Sequence, residues 1–166
     1  MPVTIRKMTA AEFDVFYKWS MENHAAELMA DLQISRENAI PQAVAELDRM
    51  LPNGPATPHH NLMTIVAAGK SVGFIWTIYE NQECQTQCFV CDFAIWEPMR
   101  RKGYGNAALG MAEKAAVAAG CQEAVLYARD DNTAAKALYA KCGYRVLRQS
   151  GRGKYMVKQL PSPPSR

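Results

Sequence analysis

Residues 88–108, Cys-Phe-Val-Cys-Asp-Phe-Ala-Ile-Trp-Glu-Pro-Met-Arg-Arg-Lys-Gly-Tyr-Gly-Asn-Ala-Ala, restrict the folds open to this chain more than any other stretch. Cys88 to Ile95 is an apolar run with one carboxylate, Asp92, and has the length of a buried strand. Trp96 to Lys102 carries Pro98 and three consecutive cations, Arg100, Arg101 and Lys102. Gly103-Tyr104-Gly105 then leads into an Ala-rich helical stretch, Asn106 to Ala119. A strand, a basic glycine turn and a helix start in succession make an anion site. The helix end offers unpaired N–H groups and a partial positive charge, and glycines let phosphate oxygens come close to the backbone.

The rest of the chain sets the scale around this motif. A length of 166 residues, 49% of them apolar, suits one domain with a sizeable core, here placed at 1–160 with a disordered tail at 161–166. The formal charge of +3 is too small to argue for nucleic acid, but it is unevenly spread. Residues 10–50 hold eight Asp/Glu against Lys18, Arg36 and Arg49, while residues 97–158 hold twelve Lys/Arg against five acids. The basic part suits an anion such as a phosphorylated cofactor, and the acidic part either suits a cation or forms ordinary solvated helix faces. Five cysteines, an odd number, with no signal-peptide pattern at Met1 to Met8, predict free thiols and a cytoplasmic location. No apolar run approaches the ~18 residues that span a bilayer.

In order, the pattern predicts a strand at Val3–Arg6 and a helix capped by Thr9 with Glu12 in capping-box position. Phe13, Phe16, Tyr17 and Met21 form that helix's apolar stripe, and a break is expected near Asn23. A second helix opens at Ser35 and runs to about Leu51, starting late or kinking at Pro41. Strands follow at 62–68 and 72–79, joined by a Gly69-Lys70-Ser71 turn, with a polar loop at 80–87. Beyond the central motif come a buried strand at 124–128, a helix at 133–141 opened by Asp130-Asp131-Asn132, and strands at 144–147 and 154–157. Trp76, Tyr79 and Glu80 are candidate substrate contacts from the 72–79 strand and its end. Cys88-x-x-Cys91 carries no metal prediction, because the two side chains of an extended strand point to opposite faces.

Two motifs stand out together. One is Arg100-x-x-Gly103-x-Gly105. The other is Asn132-x-x-Ala135-x-x-Leu138-Tyr139-x-x-x-Gly143-Tyr144, also at a strand–helix junction. Alone, Asn132 reads as a helix cap and Tyr139 as an amphipathic core residue. Jointly they make the chain resemble the GNAT superfamily of N-acetyltransferases. The first motif is similar to that family's acyl-CoA pyrophosphate loop, and Phe93-x-Ile95 stands where the family's preceding strand has Leu-x-Val. The second is similar to the family's block after the next strand, with Tyr144 for Phe. Glu97 stands where the family often has proline, and Pro98 follows it.

The resemblance implies an α/β (α+β) fold, with a mixed and mostly antiparallel sheet of about seven strands, four or more flanking helices and a V-shaped splay between the central strands. Acetyl-CoA would lie in that splay as co-substrate, with no metal. Backbone groups of Phe93, Ala94 and Ile95 would hold the pantetheine arm and polarise the thioester carbonyl. Arg100, Arg101, Lys102, Gly103, Tyr104, Gly105 and Asn106 would form the pyrophosphate loop. Asn132 would contact the pantetheine, and Tyr139 would protonate the departing thiolate. Neither central strand carries the glutamate base that some family members use. Asp92 is the one carboxylate within them, and a lone carboxylate on a buried strand is there for a hydrogen bond or for chemistry. Glu80 and a water relay are the other options.

The expected activity is transfer of acetyl from acetyl-CoA to a primary amine, either a small cationic amine or a peptide or protein amine. No nucleic acid or membrane is expected as partner, and a homodimer is compatible with the family. A non-catalytic acyl-CoA-binding regulatory module is the alternative. A dinucleotide site is disfavoured although Gly103-x-Gly105-x-x-Ala108 fits its glycine pattern, because three strands precede the motif and the elements do not alternate.

Overall fold

The computed structural model describes residues 2–82 and 85–163. Seven strands form one sheet: β1 (Val3–Lys7), β2 (His60–Ala67), β3 (Lys70–Gln82), β4 (Gln85–Ile95), β5 (Glu123–Arg129), β6 (Arg145–Ser150) and β7 (Gly153–Gln159). Their spatial order is β1-β2-β3-β4-β5-β7-β6, and every pairing is antiparallel except β4 with β5. Four helices flank the sheet: α1 (Ala10–Leu32), α2 (Arg36–Met50), α3 (Tyr104–Ala118) and α4 (Thr133–Lys141). This is the mixed, mostly antiparallel architecture that the resemblance implied.

The parallel β4–β5 pairing is short. It joins Gln87–Val90 to Glu123–Leu126 and ends there, while β4 continues to Ile95 and β5 to Arg129. The cause lies on the other edge of β4. Trp76 of β3 faces Asp92, but the next residue, Thr77, faces Val90, so Cys91 is an extra residue in β4. A β-bulge of this kind bends its strand and sharpens the local twist. Beyond Cys91 the strand turns away from β5 and the sheet opens into the expected splay.

The bulge also changes which residues share a face. Phe89, Cys91, Ala94 and Trp96 pack with Phe16, Phe74 and Trp76 on the side of α1. Val90, Phe93 and Ile95 pack on the opposite side, with Tyr104, Leu109 and Tyr139 of α3 and α4. Strict alternation would put Asp92 with Val90. The inserted Cys91 instead leaves Asp92 on the side of α1, where Ser20 meets it.

Local chemistry accounts for the other elements. Thr9 and Glu12 form the expected capping box, and Arg6 makes two bonds to the Glu12 carboxylate at 2.7 and 3.0 Å. No break occurs near Asn23, and α1 runs unbroken for 23 residues because Ala25, Ala39 and Ala43 let α2 pack closely against it. Pro41 neither delays nor ends α2. It sits in the second turn, where it forfeits one backbone bond, and the Ser35 cap starts the helix before it.

The β2–β3 hairpin turns on Ala68-Gly69, both with positive φ as a two-residue type I′ turn requires, one position earlier than the glycine alone suggested. The loop expected at 80–87 is largely strand, since β3 reaches Gln82 and β4 begins at Gln85. The polar composition there reflects a hairpin end and not a break in pairing. Tyr144 precedes β6 and is buried against Tyr139, and β6 extends to Ser150. Gly120 and Gly143 stand just past α3 and α4 with φ of 94° and 95°, closing both helices as C-terminal glycines do. Cys84, and residues 164–166 of the expected tail, lie outside the described residues.

Candidate active site

The opening beyond Val90 exposes one edge of β4. Trp96 N–H donates to the Val72 carbonyl at 2.8 Å, which fixes the alternation of the antiparallel ladder. Ala94 and Trp96 turn their backbone groups to β3, and Phe93 and Ile95 turn theirs toward the side that β5 has left. Two of these groups have partners within the chain. Phe93 N–H donates to the carboxylate of Asp92 at 2.9 Å, and the Ile95 carbonyl accepts from Arg100 Nε at 2.9 Å.

That second bond folds the basic turn back onto the strand end. A 3-10 turn at Glu97–Met99, with Pro98 in it, leads to Arg100. Arg101 and Gly103 then take left-handed backbone conformations, φ 65° and 79°. Gly103 is the N-cap of α3 and offers no side chain to it. The first bond of the helix runs from Ala107 N–H to the Gly103 carbonyl, so the N–H groups of Tyr104, Gly105 and Asn106 precede it. Arg100, Arg101, Lys102 and Asn106 are exposed, and Tyr104 is buried. A Cβ added at Gly105 would lie 3.5 Å from Leu138 and Phe93 and 3.8 Å from Ile95. The first turn of α3 therefore stands directly against the free end of β4 and the side of α4. The arrangement fits a pyrophosphate at the helix end and a narrow arm running along β4.

Across the opening stands α4. Asn132 caps it, accepting the Ala135 N–H at 3.1 Å through its side-chain oxygen, which leaves the amide NH2 to donate elsewhere. Tyr139 is buried on this helix. Burial and then the charge of Asp92 push its phenol up to about 12. Asp92 itself is pushed up to about 6 by desolvation, against the lowering effect of its bonds to Phe93 N–H and Ser20 Oγ.

The remaining predicted contacts divide. Trp76 is buried between Phe16 and His60, and its Nε1–H donates to His60 Nδ1 at 3.0 Å, so it is a packing residue. Tyr79 lies apart from the opening, against Cys88, Cys121 and Ala116. Glu80 pairs with Gln87, and its charge reaches Cys91 and His60. Cys88 and Cys91 fall on opposite faces, as the strand geometry requires. Among the described residues no cluster of three or more potential metal ligands is present, and no helix is long and apolar enough to cross a membrane.

Beyond Phe16 of the expected apolar stripe, a set of polar residues was not singled out by the sequence. Phe16, Ser20, His24, Glu27 and Asp31 recur at helical spacing along α1. Phe16 packs on Phe74 and Trp76 of β3, Ser20 bonds Asp92 of β4, and Asp31 takes two bonds from Arg129 of β5 at 2.8 and 2.9 Å. The helix therefore crosses the splay, and its inward stripe turns from apolar to polar as it does so. His24 contacts Glu46 of α2 through Nε2 and stands 3.7 Å from Glu27 through Nδ1. These carboxylates, Glu27 first, raise the imidazole to about 9 and keep it charged at neutral pH. The signal in the sequence was the replacement of apolar by polar residues on the inward face of an otherwise regular helix.

The sequence matches the model of the Acetyltransferase (GNAT) family over residues 16–144. The chain belongs to the GNAT family. It is 29% identical over 146 residues to YycN of Bacillus subtilis, named as an N-acetyltransferase, across 87% of this chain and 94% of that protein. The crystal structure of YycN matches with a TM-score of 0.83 at 27% identity, covering 90% of this chain and 96% of that one. A spermidine N-acetyltransferase from Vibrio cholerae, solved with CoA and spermine, shares the fold at a TM-score of 0.67 and 15% identity, covering 95% of each chain.

Proposed function

We propose that this GNAT protein transfers the acetyl group of acetyl-CoA directly to a primary amine within one ternary complex. The observation that carries the reading is a junction. β4 parts from β5 after Val90, and an uncapped helix N-terminus flanked by Arg100, Arg101 and Lys102 stands beside the freed strand end. That combination suits a pyrophosphate joined to a narrow arm. In this reading the N–H groups from Arg101 to Asn106 hold the pyrophosphate, and the Phe93 carbonyl and Ile95 N–H, which face the opening, hold the arm, while the Ala94 backbone groups stay paired with β3. Ile95 N–H supplies a fixed donor for the oxyanion that develops at the thioester carbonyl. The amide of Asn132 donates to the arm from the other wall.

The acceptor amine must lose a proton to attack, and the leaving thiolate gains one. Asp92 is the proposed base. Desolvation places its carboxyl near 6, so at neutral pH it is ionised yet more basic than an exposed aspartate. Tyr139 is the proposed acid, and its high pKa keeps the phenol protonated through the working range. The carboxylates of Asp92, Glu27 and Glu46 gather around His24 where α1, α2 and the bulge meet. This charge favours a cationic amine as acceptor, either a polyamine or a peptide or protein amine. The Vibrio enzyme of this fold, solved with spermine, is consistent with the first of these.

The test is acetyl-CoA binding by calorimetry, followed by thiol release over spermidine, lysine, an N-terminal peptide amine and an anionic amino acid. Binding with release on a cationic amine is expected. Tight binding without turnover on any amine would instead establish a non-catalytic acyl-CoA-binding module. Absence of binding would remove the reading.

A further inference from the structure

We infer that Ser20 is a positioning residue that reaches down from α1 to hold and tune the Asp92 carboxylate as the base. The inference rests on the reading of Asp92 given above. Ser20 is one of three buried residues of α1, and the other two, Phe16 and Ala25, are apolar. A serine inside a helix commonly turns its hydroxyl back to its own backbone. Here Ser20 Oγ lies 3.2 Å from Asp92 Oδ2, while Asp92 Oδ1 takes the Phe93 N–H at 2.9 Å. Two donors from two different elements thus fix the plane of one carboxylate, and each oxygen keeps a lone pair for an incoming N–H.

The platform for this contact is anchored on both sides. The capping box and Arg6 hold the start of α1, and the Asp31–Arg129 pair holds its end on β5. Ser20 therefore has little freedom to leave Asp92. The bulge at Cys91 completes the arrangement, since strict alternation through Val90, Cys91 and Asp92 would turn the carboxylate toward α3 and α4, out of reach of α1. The charged and titratable groups around Asp92 are His24 and Glu27 on α1, Glu46 on α2 acting through His24, the neighbouring Cys91, which the Glu80 charge of β3 also reaches, and Tyr139 on α4. Ser20 differs from all of these in being a neutral donor bonded to the carboxylate. Its removal takes away a hydrogen bond without changing the local net charge.

The test follows the Asp92 carboxyl directly, by carbon-13 NMR titration, and in parallel records kcat/KM against pH with acetyl-CoA and spermidine as the probe acceptor. A hydroxyl that donates to the carboxylate favours its charged form, so Ser20→Ala should raise the Asp92 midpoint by roughly one pH unit. The acidic limb of kcat/KM should move up by the same amount, and Ser20→Thr, which keeps the hydroxyl, should restore both. A general packing role would lower the rate at all pH values without moving the limb. If Ser20→Ala leaves the midpoint and the limb in place while Asp92→Asn abolishes the limb, the role of Ser20 is overturned and Asp92 remains the base. If the midpoint moves and the limb does not, Asp92 is not the base, and the positioning role falls with it.

Discussion

Asp92 and Tyr139 come from opposite sides of the sheet, yet the Asp92 carboxylate is, after burial, the main cause of the high pKa of the Tyr139 phenol. The two groups sense each other because the sheet is open between β4 and β5. One wall of the opening thus carries a carboxyl near 6, and the other a phenol near 12. Environments that push two titratable groups apart in this way support the proposed roles of Asp92 as base and Tyr139 as acid.

The first prediction concerns the proposed acid. Tyr139→Phe should lower kcat roughly 10- to 100-fold, toward the low end of general-acid effects because a thiolate with a pKa of about 8.5 leaves without much help. Acetyl-CoA affinity should stay within about twofold of wild type, since the ring packing against Tyr144 is kept. With the phenol held near 12, the wild-type rate should show no alkaline loss at pH 10, where an ordinary tyrosine titrates. Stopped-time thiol release and calorimetry check the two halves. Lost affinity with an unchanged rate for the bound enzyme would contradict the assignment.

A second prediction separates activity from stability at Asp92. Its folded pKa lies above the ordinary carboxylate value, so folding favours the protonated form. The associated stability is complete below the unfolded value of 3.8 and is lost as pH rises through about 6. Asp92→Asn removes that loss, and the amide can accept from Phe93 N–H while donating to Ser20 Oγ. The variant should be more stable than wild type at pH 8, by on the order of 2 kcal/mol, with no such gain at pH 3 to 4. Its kcat/KM at neutral pH should fall about 10²-fold or more. Urea melts at the two pH values test the linkage, and an equal gain at both would show that titration of Asp92 does not cause it.

These two residues also show where the sequence was legible. Tyr139 and the Arg100–Gly105 loop lie at fixed offsets from strand–helix junctions, and local spacing carries that information. The splay was available only through resemblance, because its structural cause is one extra residue. Cys91 looks like any other strand position until its register against β3 is known. The same register decides that Asp92 faces α1, so no period-2 reading could have paired it with Ser20, 72 residues earlier. Trp76 shows a different limit. An aromatic on a strand beside the site suggested substrate contact, but packing on Phe16 and the bond to His60 use all of its surface.

A third prediction concerns the network that seats α3 on the sheet. Glu113 accepts from Tyr144 Oη and from Lys158 Nζ, each at 2.7 Å, joining α3 to β7 and to the end of α4. The Glu113 side chain is 13% exposed and that of Lys158 28%, so water compensates only partly for a lost partner. Glu113→Ala should destabilise the fold by about 2–3 kcal/mol, because a buried phenol and a partly buried ammonium lose their acceptor. In a thermal melt that corresponds to a fall of roughly 5–10 °C for a chain of this size. Tyr144→Phe removes one of the two bonds and should cost about 1 kcal/mol. The double variant should cost less than the sum, because the two changes share one interaction. Additive losses would show that Glu113 and Tyr144 contribute separately.

The last prediction concerns the proposed anion loop. Gly103 has φ of 79° and no atom within 4 Å of an added Cβ, so a side chain there is opposed by backbone conformation and not by crowding. A left-handed backbone costs a non-glycine residue about 1–2 kcal/mol, more for a β-branched one. Gly103→Val would relieve that strain by moving φ to negative values, which turns the N–H groups at the start of α3 away from one another. Acetyl-CoA affinity should therefore fall about 10-fold or more, in line with the loss of at least one charge-assisted bond. The structure away from the loop should be unaffected, because the α3 core contacts begin at Tyr104 and Ala108. Gly105→Val differs in mechanism. It fills the space beside Phe93, Ile95 and Leu138 without any demand on φ, and should block the pantetheine arm more than the pyrophosphate. Calorimetry with acetyl-CoA and with adenosine 3′,5′-bisphosphate plus pyrophosphate separates the two. Gly103→Val should weaken both ligand sets, and Gly105→Val mainly the intact acetyl-CoA. If Gly103→Val lowers the melting temperature but leaves both affinities unchanged, the loop is a structural turn and the anion is bound elsewhere.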